Sequence, residues 1–106
     1  MKDNTAYIKL DKGFENWKWF KDRKTLVVYL YLLSTANLET QEVFRETVHR
    51  GSLLTNNASI AYDCGLTIQN VRAALTNLQK SGEITREYKN HYQIITVTDF
   101  DSHIAE

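Results

Sequence analysis

The fold is decided by residues 51–97, which read GSLLTNNASIAYDCGLTIQNVRAALTNLQKSGEITREYKNHYQIITV. Runs that suit a strand or a helix alternate here with turn-forming residues, above all Gly65 and Gly82. The pattern predicts, in chain order, a strand, a helix, a tight turn, a second helix, a strand, a short turn and a last strand. The predicted fold is therefore of the α+β class.

Both helices of this stretch have a start signal, an apolar stripe and a stop signal. Thr55 and Asn56 are suitable N-caps for a helix over residues 57–64, and the glycine that follows suits a left-handed C-cap. Thr67 is a suitable N-cap for the second helix, which we expect to end near Ser81. Its core stripe has the spacing of a helix with one buried face and consists of Val71, Ala74, Leu75 and Leu78.

Two segments rich in strand-forming residues follow the helices. They are EITREYK and YQIITVT, and the compact turn Lys89-Asn90-His91 joins them, so we expect a hairpin. Two helices joined by a tight turn and followed at once by a hairpin are typical of a winged helix-turn-helix. The chain is accordingly interpreted as one winged-helix domain with three to four helices and a C-terminal β-hairpin wing. Its parts are the helix-turn-helix (about 56–81), the wing (about 83–98) and a polar tail (99–106) within a domain of residues 1–106.

The N-terminal half predicts further elements. Residues 7–10 suit a short edge strand, and the aromatic spacing of residues 11–20 predicts a short helix with an aromatic face. Asp22 is a suitable N-cap for a helix to about residue 37, whose centre LVVYLYLL is apolar on nearly all sides. Residues 39–46 are polar, and we expect a surface loop there.

The composition limits the possible functions. The 13 basic and 13 acidic residues cancel, which argues mildly against strong non-specific DNA affinity. A single cysteine excludes an internal disulfide and fits a reducing compartment. The N-terminus lacks an apolar signal core, and the longest apolar run is far shorter than the roughly 20 residues of a membrane span. We therefore expect a cytoplasmic protein that does not contact a membrane.

Catalytic signals are weak. The three histidines, His49, His91 and His103, have no metal-ligand spacing with Cys64 or with a carboxylate. Cys64 falls on the inner stripe of its helix, so we interpret it as a small core residue. No glycine-rich phosphate loop is present. We expect no catalytic residue, metal or cofactor, and hence no enzyme.

The outer face of the second helix is the candidate DNA-binding surface, because the equivalent helix of a helix-turn-helix enters the major groove. Amide and guanidinium groups on such a face can pair with base edges, and a wing can reach phosphates or the minor groove. The candidates on the helix are Thr67, Gln69, Asn70, Arg72, Thr76 and Asn77, and those on the wing are Arg86, Lys89 and His91. The alternative is an ordinary solvated polar surface.

Two other surfaces have to be weighed. A basic cluster near the N-terminus is interrupted by acidic residues and is interpreted as a solvated face; it contains Lys9, Lys12, Lys18, Lys21, Arg23 and Lys24. A protein interface is also possible, since tryptophan is enriched at interfaces and a helix apolar all round needs several covers. The interface candidates are Trp17, Trp19, Leu26, Tyr29, Leu30 and Leu33, and a homodimer or higher oligomer would result.

The chain resembles the N-terminal winged-helix domain of DnaD-like replication proteins, including phage replisome organisers. The matching stretches, in chain order, are YIKL, WKWF, the long apolar helix, HRGSLLT, IAYDCGLTIQNVRAAL, LQKSGEIT and YQIITVTDFD. The central helical part is also similar to GntR-type transcription regulators, which share a V-R-x-A-L pattern but lack WKWF and HRGSLLT. Asn57, Ala58 and Ser59 stand where DnaD-like proteins often carry basic residues.

The resemblance implies a role in starting DNA replication, by binding an origin or by helping to load a helicase, in a bacterium or a phage-infected host. It implies double-stranded DNA as a partner, replication proteins such as a helicase loader, and self-association. Three hypotheses remain open at this point. They are a DNA-binding domain of a phage-type initiator, a protein-interaction module without direct DNA binding, and a small GntR-like transcription regulator.

Overall fold

The structure is a computed structural model that describes residues 5–106, and in these residues it contains three α-helices, two 3-10 helices (Phe14–Asn16 and Phe100–His103) and seven short strands. The helices are α1 (Arg23–Thr35), α2 (Asn57–Cys64) and α3 (Ile68–Lys80). The strands are β1 (Tyr7–Ile8), β2 (Gln41–Val43), β3 (Glu46–Val48), β4 (Ser52–Thr55), β5 (Ile84–Tyr88), β6 (Gln93–Val97) and β7 (Ile104–Ala105). The predicted α+β class is confirmed, and every strand pair is antiparallel within the described residues.

All three helices begin where their capping residues predict. The carboxylate of Asp22 accepts from the backbone N–H of Thr25 at the start of α1, and the side chain of Asn56 does the same for α2. Thr67 caps α3 in the same way. Gly65 has the predicted left-handed conformation, with φ of 68°, which lets the chain turn sharply from α2 into α3.

The strands of the largest sheet come before α2 and after α3 in the chain. Its strand order is β4-β6-β5, so the strand that precedes α2 lies beside the last strand of the hairpin that follows α3. Ser52 is paired with Thr96, and Ile84 with Val97. The predicted hairpin after α3 is confirmed, and its pairing with β4 closes the sheet against the helices.

The core lies between α1, α3 and this sheet. The predicted stripe of Val71, Ala74, Leu75 and Leu78 is fully buried, which confirms the orientation of α3. It packs with buried residues of α1, α2 and the sheet, namely Val28, Leu32, Ile60, Ile84 and Ile95. Burying one such side chain contributes about 1.5–3 kcal/mol, so this stripe holds α3 in place.

Residues 11–20 do not form the predicted helix. Only Phe14–Asn16 makes one 3-10 turn, because Gly13 before it is left-handed, with φ of 94°, and Trp17 after it is extended. The aromatic residues still cluster. Phe14 stacks on Trp17 at 5.4 Å between ring centroids, and Trp17 lies 4.9 Å from the ring of Tyr29 in α1.

The polar tail is packed against the domain. Phe100 and Ile104 are buried, and β7 pairs with β1 at the other end of the chain. Gly51 makes this possible, since a Cβ there would lie 2.8 Å from the Cβ of Phe100. Arg50 adds ion pairs to Asp101 and to the side chain of the last residue, at 2.7 and 2.8 Å.

The prediction of a surface loop over residues 39–46 is wrong, because β2 and β3 form a hairpin there. Only Phe44 and Arg45 connect the strands, and both have positive φ, 48° and 65°. A two-residue hairpin turn with positive φ at both positions is normally built from Asn-Gly, since side chains with a Cβ are strained there. The sequence has Phe44-Arg45 at this turn, so no local signal predicts the hairpin.

Replacing the strained turn, Phe44→Asn with Arg45→Gly, should stabilise the protein by on the order of 1 kcal/mol, because the new residues suit left-handed geometry. Little packing is lost, since Phe44 is 75% exposed. Urea unfolding followed by circular dichroism measures the change. Tyr62→Asn is the control, because Tyr62 is also an exposed aromatic residue but lies in a helix. An unchanged or lower midpoint for the turn variant would show that the turn is not strained.

Candidate nucleic-acid interface

The outward face of α3 is available for contact. Gln69, Arg72 and Thr76 are exposed, as predicted, and no hydrogen bond or ion pair to another described residue holds their side chains. Lys80 is exposed one turn further along the same face. An unpaired guanidinium and an unpaired amide on one helix face are groups that can read base edges without breaking a contact first.

The first turn of α3 is occupied by its own cap. The hydroxyl of Thr67 donates to Oδ1 of Asn70, and the backbone N–H of Asn70 donates back to the Thr67 hydroxyl at 3.0 Å. Thr67 is exposed and Asn70 is half-buried. These two predicted contact residues therefore have a structural role at the start of the helix.

Asn77 does not face outward, and its predicted orientation is wrong. Its amide donates to the carboxylate of Asp22 at 3.2 Å and to the hydroxyl of Thr25 at 3.0 Å. Both partners belong to the start of α1, which crosses α3 at this point, and Thr25 is fully buried. Periodicity puts Asn77 at the edge of the polar face, but the neighbouring helix decides that it serves as a link between helices.

The basic residues of the hairpin are largely engaged. Nζ of Lys89 lies 3.1 Å from Glu87 and 3.4 Å from Glu46, and its hydrogen bonds to these carboxylates raise its pKa. Nε of Arg86 donates to Gln93 at 2.8 Å, and burial lowers the pKa of its guanidinium. Of the three predicted wing residues, only His91 is exposed without a partner among residues 5–106.

A basic flank lies beside α3. It is part of the N-terminal basic cluster, for which the sequence predicts a solvated face. We define the basic flank as Lys18, Lys21 and Arg23, all of which are exposed. Together with Asn70 of α3 they line one shallow groove, which also contains Trp19, Asp22 and Lys24. The groove runs between the start of α1 and Asn70 in the first turn of α3, so its cations lie beside the beginning of that helix.

Specific contacts hold the basic flank against α3. The indole N–H of Trp19 donates to the hydroxyl of Ser81 at 2.9 Å, and Asp22 accepts from Asn77. Burial raises the pKa of Asp22, but hydrogen bonds from Lys24 and from the backbone of Thr25 lower it by more, so this pKa lies below its usual value. Asp22 is therefore ionised and fully used as cap and partner. Of the three acidic residues that interrupt the cluster in sequence, Asp11, Glu15 and Asp22, the one in the groove is thus paired with Lys24 and not with the three exposed cations.

The predicted protein-interface residues are mostly used inside the domain. Tyr29 and Leu33 are 3% and 2% exposed, so the prediction that they form a contact surface is wrong. Trp17 is half-buried against Tyr29, and Trp19, Leu26 and Leu30 are also half-buried. The apolar helix receives its several covers from α3, α2 and the N-terminal aromatic cluster.

A cavity and one cysteine outside α3 also contain ionisable groups. A cavity lined by Phe14, Trp17 and Tyr29 contains a Tyr29–His103 hydrogen bond of 3.3 Å. Burial, and then two nearby carboxylates, raise the pKa of Tyr29 to about 12, so this hydroxyl stays protonated. Cys64 is half-buried, and burial raises its pKa too. Residues 5–106 contain no group of three or more side chains suited to hold a metal, and none of their helices has the length and apolar character needed to cross a membrane.

Comparison of the chain with protein-family models, with curated proteins and with solved structures found no match.

Thr76 and Asn77 are adjacent polar residues that the sequence places on the same face, but only Asn77 joins α3 to α1. Asn77→Ala should lower the free energy of unfolding by about 1–2 kcal/mol, since two hydrogen bonds between α1 and α3 are lost. Thr76→Ala should change it by less than about 0.5 kcal/mol, because Thr76 is exposed. Chemical denaturation of both variants measures the difference. Equal effects would contradict the assignment of Asn77 to the helix junction.

Proposed function

We propose that this chain is a winged helix-turn-helix domain that binds double-stranded DNA through α3. Its element order supports the fold, since α1, β4, α2, α3 and the β5–β6 hairpin follow one another and the sheet has the order β4-β6-β5. The tight turn at Gly65 joins α2 to α3 as a helix-turn-helix requires. The hairpin after α3 corresponds to the wing.

One observation carries the DNA-binding proposal. The outer face of α3 carries unpaired polar side chains, and an exposed basic flank lines a groove with Asn70 in the first turn of the same helix, where the acidic lining residue Asp22 is used as a cap. With α3 in the major groove, Gln69 and Arg72 would meet base edges, where Gln suits adenine and Arg suits guanine. The basic flank would then meet the sugar–phosphate backbone along the groove and set the position of the helix.

The wing offers fewer free cations for phosphate binding than the sequence predicts. Lys89 would have to leave two carboxylates, and Arg86 would have to leave Gln93, before either could bind a phosphate. Phosphate contact therefore shifts from the wing to the opposite side of α3. A small number of phosphate contacts agrees with the zero net charge of the chain, and it favours binding that depends on base contacts.

The biological role follows from the resemblance to DnaD-like proteins and is part of the proposal. We infer a domain of a phage-type replication initiator or replisome organiser that acts in the cytoplasm, with a helicase loader among its partners and with self-association. A GntR-like regulator would use the same face of α3 on another target. The interaction-module hypothesis is weakened, because two of its six contact residues are buried in the core.

The basic flank provides the sharpest test of duplex binding. Lys21→Ala with Arg23→Ala should weaken duplex binding and reduce the slope of log affinity against log salt by about 1.8, since each phosphate contact contributes about 0.9. Fluorescence anisotropy of a labelled duplex, titrated at several salt concentrations, measures both. Arg72→Ala should cost about 1–3 kcal/mol on the preferred sequence.

Lys9→Ala with Lys12→Ala is the matched control. It removes the same charge from exposed residues, but these line the cavity near Tyr29, away from the groove beside α3. An equal loss in both double variants would show that total charge alone governs binding. Absence of duplex binding by the unaltered chain, even at low salt, would remove the proposal.

A further inference from the structure

The tip of the β2–β3 hairpin carries an aromatic ring that is mostly exposed and lies outside the core. Phe44 is 75% exposed at a turn where both residues are left-handed. A bulky residue in this conformation costs stability, and such strain persists mainly where it has a function. Neither duplex recognition by α3 nor packing of the core accounts for Phe44 and Arg45 at these positions.

This tip is joined to the tip of the wing hairpin. Phe44 lies 6.4 Å from the ring of Tyr92, and the Tyr92 hydroxyl donates to Glu46 at 3.3 Å. Lys89 of the wing turn also pairs with Glu46, at 3.4 Å. The two turns therefore form one unit, and we define the twin tips as Phe44, Arg45, His91 and Tyr92.

The twin tips combine aromatic rings with one guanidinium, that of Arg45, and with the exposed imidazole ring of His91. Arg45 and His91 are exposed and make no ion pair with another residue in 5–106, while Glu46 is already paired with Lys89. Further along the hairpin, Arg86 lies 4.9 Å over the ring of Tyr88, which is 65% exposed. Exposed rings interleaved with cations are typical of surfaces on which the bases of a single strand stack.

We propose that the twin tips bind an unpaired nucleobase of single-stranded DNA, with Phe44 as the stacking ring and Arg45 on the adjacent phosphate. A protein partner fits less well, because specific interfaces bury about 1,200–2,000 Å². Here one ring projects between the polar and charged residues Glu42, Arg45 and Thr47. A base needs only one ring face. This surface is separate from the outer face of α3.

Stacking, more than charge, carries this binding. In the two hairpins Arg45, Arg86 and Lys89 are balanced by Glu42, Glu46 and Glu87, so the local formal charge is zero. The affinity for a single strand should therefore depend only shallowly on salt, with Arg45 contributing a slope of about 0.7. This distinguishes the twin tips from the basic flank, whose contacts with duplex are electrostatic.

The test is anisotropy of a labelled oligothymidine of about 12 nucleotides with the full chain. Phe44→Ala should weaken binding about tenfold at every salt concentration without changing the salt slope, because it removes a stacking ring and no charge. Phe44→Tyr should restore the affinity to within about twofold, since the ring is kept. Arg45→Gln should lower the slope by about 0.7. The turn variant Phe44→Asn with Arg45→Gly should lose binding although it is expected to be more stable.

Tyr62→Ala is the matched control, since Tyr62 is 87% exposed but lies on α2 outside the twin tips. It should leave oligothymidine binding unchanged. The inference is overturned if the unaltered chain does not bind oligothymidine, if Phe44→Ala binds as well as the unaltered chain, or if Phe44→Tyr loses as much as Phe44→Ala. The duplex titration is a separate readout. A chain that binds the single strand but not the duplex keeps this inference and loses the proposed function.

Discussion

The hydrogen bonds that join Asn77 of α3 to Asp22 and Thr25 of α1 are the constraint on which the candidate interface depends. One carboxylate caps α1, pairs with Lys24 and accepts from α3. These contacts allow the start of α1 only one position beside α3. Because the preceding residues are also held by the hydrogen bond from Trp19 to Ser81, the basic flank keeps its place beside α3. A surface charge cluster thereby becomes part of an ordered groove.

Apolar packing and this polar junction have different tasks. The buried stripe of α3 and the facing residues of α1 supply the affinity between the helices, which is large but not directional. The junction supplies direction, since hydrogen bonds to a carboxylate and a buried hydroxyl require one arrangement. No buried side-chain polar atom of residues 5–106 lacks a partner, so this specificity leaves no unpaired polar group in the core.

The two neighbouring hairpins differ in whether their exposed and charged side chains have partners. In the wing, Lys89 and Arg86 have partners, and their charges serve the hairpin itself. In the β2–β3 hairpin the turn is strained, and Phe44 and Arg45 project without partners of comparable strength. The number of charged residues in a loop therefore does not show how many of its charges are unpaired. In these hairpins the lysine of the wing is paired, whereas Arg45, at the turn with positive φ, makes no ion pair with a described residue.

The sequence by itself determined the helices, the β5–β6 hairpin and the outward position of Gln69, Arg72 and Thr76. These features depend on local chemistry, namely capping side chains, a left-handed glycine and the period of the apolar stripe. Only the tertiary structure decided that Asn77 faces α1, that Lys89 is ion-paired with Glu46, that the basic flank lies beside α3 and that residues 41–48 form a hairpin. Each of these is set by a partner distant in the chain or by a turn that its residues disfavour. Local periodicity contains no information about either.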